Sequence, residues 1–367
     1  MISSIKDIEK FISNKDYKKI FVLCGKKSFE GSGAKKILTK FFINKKIKIL
    51  YKKSDIPILE ELVELIKNIK NFKPDLILAI GGGAVIDYSK MANVLDEKKN
   101  IAKLIINYSY PIKQKYAKLA VVPTTAGSGA EVTSNAVVYV DGIKYSLESD
   151  LLIPDNFFLI PKFLVSAPNK IKASAGFDAI AQATESLVSK KSNDLSVDYA
   201  LRSLRISINS YISFLNKPTL KNSAKMSIAA NLAGRAINIS KTTAPHAISY
   251  PFTSLFNISH GHAVALFFES FFKFSYDNLD KSKTSFDLKK RFDLIFNVFE
   301  VFNIKEFSTK ISLIKKQANL EDDLIKLRID TKNNAKKIIK GINLLRLQNN
   351  PIKIDENIIY KIITRTI

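Results

Sequence analysis

Residues 75–90 read Asp75-Leu76-Ile77-Leu78-Ala79-Ile80-Gly81-Gly82-Gly83-Ala84-Val85-Ile86-Asp87-Tyr88-Ser89-Lys90. The unbroken apolar run to Ile80 predicts a strand buried on both faces. The glycine triplet ends it, and apolar residues then recur at helical spacing from Ala84 to Val94. Strand, glycine turn and helix together make the unit of a parallel α/β sheet. Working outward, Lys18 to Cys24 and Ile47 to Tyr51 predict strands, and Ser32 to Phe42 and Ile58 to Ile69 predict helices. Leu119 to Val122 predicts another short strand, ending at Pro123. The expected result is a parallel sheet with helices on both faces, which binds ligands at the carboxyl ends of its strands.

Past about Pro168 the pattern changes. Ile171 to Ser189, Leu195 to Leu215, Ser223 to Asn238, Gly261 to Phe274 and Asp287 to Phe302 all have helical periodicity, and Tyr276 to Ser285 is polar enough for a loop. A chain of 367 residues usually forms two domains. The expectation is an α/β domain over 1–168 and an all-helical domain over 169–367.

Composition removes several function classes. The net charge of +24, from 58 basic and 34 acidic residues, is spread along the chain without a long lysine block. No zinc finger or RNA-binding signature accompanies it, so nucleic acid is not the expected partner; the charge can still attract an anionic substrate. The single cysteine, Cys24, excludes an intrachain disulfide and a cysteine zinc knuckle, and a reducing cytoplasm is the expected compartment. No apolar run has the length of a membrane span, and the N-terminal residues lack a secretory pattern.

Three features carry chemistry. All three histidines, His246, His260 and His262, fall within 17 positions, with Asp178 upstream on a predicted helix. Imidazole nitrogen and carboxylate oxygen suit iron(II) or zinc, although scattered histidines often serve packing alone. Gly81, Gly82 and Gly83 open a helix, where glycine lets the backbone approach a diphosphate and free N–H groups bind it; a plain tight turn is the other reading. Pro123-Thr124-Thr125-Ala126-Gly127-Ser128-Gly129-Ala130-Glu131 follows a second strand, and its hydroxyls can hold phosphate, ribose or carboxamide.

In this order the segments resemble the iron-containing (group III) alcohol dehydrogenase family over roughly residues 15–275. The resemblance implies a nicotinamide dinucleotide bound by Gly81, Gly82, Gly83 and Asp87, with Thr124, Thr125 and Ser128 in a second cofactor loop and Lys144 beside the cofactor. It also implies a catalytic Fe2+, or alternatively Zn2+, held by Asp178, His246 and His260. The family places a histidine four residues after the aspartate; here that position is Gln182, expected as a weak fourth ligand or water anchor. A further family histidine near the nicotinamide is Tyr250 here, a candidate proton relay. His262 is expected to be structural.

The run Lys241-Thr242-Thr243-Ala244-Pro245-His246, together with Gln182, is similar to the phosphonoacetaldehyde reductase branch of that family. Lys241, Thr242 and Thr243, with Arg235 on the preceding helix, then become candidates for an anionic substrate tail. A solvated surface lysine is the alternative for Lys241. Relatives that prefer NAD carry an aspartate where Lys26 aligns. A lysine there, with Ser28 nearby, favours the 2′-phosphate of NADPH over NADH. Related proteins point to a homodimer or a larger assembly. The expected activity is reduction of a small aldehyde to a primary alcohol. A general alcohol dehydrogenase and a dehydroquinate-synthase-like lyase are the alternatives.

Overall fold

The central run becomes a strand as expected. The computed structural model describes residues 1–14, 16–342 and 344–366. Its strands are β1 (Lys19–Gly25), β2 (Lys46–Lys52), β3 (Leu76–Gly81), β4 (Lys118–Pro123), β5 (Asn135–Val140), β6 (Ile143–Glu148) and β7 (Asn156–Phe157). Five of them form one parallel sheet in the order β2-β1-β3-β4-β7. Alternate residues enter two separate cores. Phe21, Leu23, Ile77, Ala79, Leu119 and Val121 face one, and Ile20, Val22, Cys24, Leu76, Leu78 and Ile80 face the other. With both faces buried, neither set has reason to be polar, so these strands read as continuous apolar runs.

The Leu59–Phe72 helix covers one face with Leu62, Leu65, Ile66 and Ile69, the spacing of one helical stripe. It stops at Lys73, left-handed at φ 49°, just before Pro74. The single helix expected over 32–42 is instead a series of short turns: Lys26–Gly31, Ala34–Leu38 and a 3-10 segment, Thr39–Phe42. Gly33, at φ 76°, breaks the path. The β5–β6 hairpin was not anticipated. Asp141 and Gly142 both have positive φ, the geometry that a two-residue hairpin turn requires and that Asp-Gly supplies.

The contacts divide the chain into two compact units. Met1–Pro168 and Pro218–Asn231 form one; Asn169–Lys217 and Leu232–Ile367 form the other. The second is helical. Its Asn169–Val188 helix is buried along almost its whole length from Lys172, so any charge on it has to be partnered. The Asp194–Asn216 helix packs beside it, started by a reciprocal capping box between Asn193 and Ser196. Helix Ala244–Phe256 begins with Pro245 in its first turn, where proline is tolerated. The helix expected over 261–274 is divided into His260–Ala265 and Phe268–Asp277, because Phe267 leaves helical geometry and packs on Phe252, with ring centroids 4.9 Å apart. No described helix is long and apolar enough to cross a membrane.

Candidate metal centre and cofactor loops

Three helices of the second unit bring Asp178, His246 and His260 together. One ligand atom from each lies within 4.8 Å of the others. Asp178 Oδ1 is 3.1 Å from His246 Nε2 and 3.9 Å from His260 Nε2. The two imidazoles meet edge to face, with centroids 5.3 Å apart. Gly261 explains how the His260 helix comes this close: a Cβ there would lie 1.9 Å from Ser174 O and 3.0 Å from Asp178 Cβ.

The other ring nitrogens are also held. His246 Nδ1 is 2.5 Å from Oε1 of Glu185, a fully buried carboxylate. Glu185 Oε2 accepts from both the backbone N–H (2.7 Å) and the hydroxyl (2.8 Å) of Thr243, the N-cap of the His246 helix. On His260, Nδ1 is 3.3 Å from Ser249 Oγ, whose proton goes to His246 O at 2.7 Å. Burial alone would push the His246 imidazole down. The Glu185 and Asp178 carboxylates outweigh that and raise it to about 9.

Gln182 sits one turn beyond Asp178. Its Nε2 donates to Asp178 Oδ2 at 3.0 Å, and its Oε1 is buried with no hydrogen-bond partner among the described residues. A carboxylate, two imidazole nitrogens and a vacant amide oxygen form a donor set that fits Fe2+ or Zn2+. His262 faces elsewhere: its Nε2 is 2.6 Å from Glu321 O, and its N–H donates to Ser174 Oγ. Tyr250 stacks on His260 with centroids 5.9 Å apart. Burial raises its phenol above the ordinary value, against opposing effects from Arg346 and Thr242.

The expected anion contacts fare unequally. Lys241 is half-buried and left-handed, at φ 60°. Its neighbours are braced by Asn349 Nδ2, which donates to Ser240 O and Thr242 O. Thr243 needs correction: its N–H and hydroxyl donate to Glu185, so they are not the free anion donors expected of it. The Arg235 guanidinium lies over the Tyr199 ring, 6.0 Å from its centroid.

In the first unit the two expected cofactor loops lie side by side, because Gly81 of β3 pairs with Pro123 of β4. A Cβ on Gly82 would meet Thr125 Oγ1 at 3.2 Å, and one on Gly83 would meet Ser128 Oγ at 2.9 Å. Gly82 caps the Gly83–Ala92 helix without a side-chain bond; the Val85 and Ile86 N–H groups donate to Gly82 O, so the N–H groups a ligand can use are those of Gly83 and Ala84. Thr124 Oγ1 is buried and lacks a hydrogen-bond partner among the described residues. Ser28 Oγ donates to Gly25 O just after β1, and Lys26 is exposed beside it. The sheet order reverses between β1 and β3, where open parallel sheets bind ligands. Desolvation raises Asp87 to about 6 against the pull of Lys90, Lys144 and the Val137 N–H.

Sequence reasoning missed Glu185, Ser249 and Lys90. Lys90 is fully buried, and its ammonium donates to Thr133 O, Thr133 Oγ1 and Asn135 O at the end of the second loop. Glu185 had a signal: it lies two helical turns from Asp178, on the same face.

The chain belongs to the iron-containing alcohol dehydrogenase family. The description "Iron-containing alcohol dehydrogenase" matches residues 2–161, and "Fe-containing alcohol dehydrogenase family, C-terminal" matches residues 172–367. Among curated relatives, 4-hydroxybutyrate dehydrogenase of Clostridium kluyveri is 29% identical over 229 residues, 61% of this chain and 61% of the relative. A 1-propanol dehydrogenase of Citrobacter freundii is 31% identical over 213 residues, 57% of this chain and 54% of the relative. The chain thus matches less than two thirds of the length of either. The sulfoacetaldehyde reductase of Bifidobacterium kashiwanohense, solved in complex with NAD+, superimposes with a TM-score of 0.86 at 23% identity, covering 100% of this chain and 95% of that one. At that identity the likeness is one of fold.

Proposed function

We propose that this protein is a metal-dependent, NADPH-linked aldehyde reductase whose preferred substrate is a small aldehyde with an anionic tail, foremost phosphonoacetaldehyde, reduced to 2-hydroxyethylphosphonate. The observation that carries the reading is the convergence of Asp178, His246 and His260. A bound Fe2+ or Zn2+ supplies a Lewis acid that polarises the aldehyde oxygen. The nicotinamide supplies the hydride.

The chain's own residues do the rest. Asp178, His246 and His260 hold the ion, with Gln182 as the weak fourth donor. Tyr250, protonated at neutral pH and stacked on His260, is a proton source for the alkoxide. Gly82, Gly83, Thr124, Thr125 and Ser128 hold the cofactor, with Asp87 and Lys144 beside it. Lys26 takes the 2′-phosphate, and Lys241 with Thr242 takes the substrate's anionic tail. A cytoplasmic homodimer belongs to the same proposal.

Two of the relatives named above act on molecules with an anionic tail, 4-hydroxybutyrate and sulfoacetaldehyde. The 1-propanol enzyme does not, and it supports the second reading, a general primary alcohol dehydrogenase. Steady-state NADPH oxidation with phosphonoacetaldehyde, sulfoacetaldehyde and propanal separates them. The proposal expects kcat/KM for the anionic aldehydes to exceed that for propanal by at least about tenfold. Equal efficiency removes the anionic tail from the account. Absence of any net cofactor oxidation removes the reductase.

A further inference from the structure

We infer that Glu185 is a positioning residue of the metal centre: by accepting the Nδ1 proton of His246, it keeps that proton in place and makes Nε2, the nitrogen facing Asp178, the one that gives up its proton to the ion. The inference rests on the proposed metal site and adds to it the group that sets its affinity.

The geometry leaves Glu185 little alternative. Oε2 accepts two bonds from Thr243, one of them from a backbone N–H that can only donate. Oε1 is left for His246 Nδ1 at 2.5 Å, so one ring proton stays there, and Nε2, 3.1 Å from Asp178 Oδ1, is the nitrogen whose proton an ion displaces. One fully buried carboxylate therefore ties a ligand to the N-cap of the ligand's own helix, locking ring orientation and helix start together. Ordering by an outer carboxylate also makes an imidazole a stronger donor.

His260 is held differently. The Ser249 hydroxyl spends its proton on His246 O, so it accepts from His260 Nδ1, at 3.3 Å. This keeps the Nδ1 proton in place in the same way, through a longer, neutral bond. His246 is therefore the anchoring ligand and the half-buried His260 the more labile one.

The decisive substitution is Glu185→Gln. The Thr243 N–H cannot reverse its role, so the amide oxygen turns to Thr243 and the NH2 turns to His246. The ring then has to accept at Nδ1 and carry its proton on Nε2, which is the wrong tautomer for the ion. Affinity for Fe2+ (anaerobic) and Zn2+ is expected to fall about 10–100-fold. Nitrogen-15 correlation spectra of His246 in the Zn2+-treated protein should change from the Nδ1–H to the Nε2–H pattern. Glu185→Asp, which keeps the charge, should recover the Nδ1–H pattern and part of the affinity. Ser249→Ala should lose less affinity than Glu185→Gln.

Wild-type affinity in Glu185→Gln with the His246 pattern unchanged would overturn the inference while leaving the metal site standing. Failure of the wild-type protein to bind either ion would instead remove the metal site itself. If Glu185→Gln does not fold, Glu185→Asp decides: a Nε2–H pattern in that variant also overturns the inference.

Discussion

Gln182 Nε2 donates to Asp178 Oδ2 across one helical turn, at 3.0 Å, and this bond fixes which end of the amide is left over. The remainder is an acceptor, buried and without a partner among the described residues. A buried acceptor without a partner costs about 1–3 kcal/mol, and coordination of a cation is one way to recover it.

Gln182→Leu removes both the oxygen and the bond that orients Asp178. We expect Fe2+ affinity to fall about tenfold, read by competition with a chelator. Gln182→His should raise affinity, since imidazole is the stronger donor to iron or zinc. An unchanged affinity in the leucine variant would show that the amide oxygen is not a ligand.

Gly261 permits the contact between the His260 helix and the Asp178 helix. In Gly261→Ala the new methyl meets Ser174 O at 1.9 Å, a backbone atom that a side-chain rotation cannot move aside. The two helices must separate, at a cost of at least about 2 kcal/mol. Thermal denaturation should show a lower Tm, and ion affinity should fall with it. A Tm equal to wild type would mean that the two helices are not this close.

Asp87 gives a pH dependence with a definite sign. Desolvation holds its folded-state value near 6, so the carboxylate is charged above that pH and neutral below it, with Lys90 and Lys144 as its facing cations. A cofactor that donates hydrogen bonds to the charged form binds best above pH 6. Its affinity should weaken as pH falls from about 7.5 to 5, by about tenfold at the lower end. Fluorescence titration with the reduced cofactor measures this. Asp87→Asn should bind weakly with little dependence over the same range.

Lys26→Asp tests cofactor choice. A carboxylate there repels a 2′-phosphate and can accept from ribose hydroxyls, so the ratio of kcat/KM for NADPH to that for NADH should fall by about tenfold or more. A ratio that does not change would move the discriminating residue elsewhere.

Legibility in the sequence followed the range of the forces involved. The strands buried on both faces could be read because burial leaves an uninterrupted apolar run, and Leu59–Phe72 because its stripe repeats every three or four residues. The β5–β6 hairpin was equally legible in principle: Asp141-Gly142 between a Val-rich segment and one bearing Ile143 and Tyr145 is a hairpin signal. Gly33 ended a helix by adopting a positive φ, which composition does not reveal. At the candidate metal site residue type pointed to Asp178 and all three histidines, and the family resemblance singled out Asp178, His246 and His260, the three that converge. Ser249 has no local signature, because its role depends on His260 arriving 11 residues later on a different helix. The reassignment of Thr243 has the same origin: its partner Glu185 lies 58 positions away.

The most direct test of the central claim is calorimetric titration of anaerobic, chelator-treated protein with Fe2+, wild type beside Asp178→Asn. The account predicts one ion bound per wild-type chain, with affinity reduced by at least about 100-fold when the carboxylate becomes an amide. No binding by wild type, or equal binding by both proteins, would contradict it.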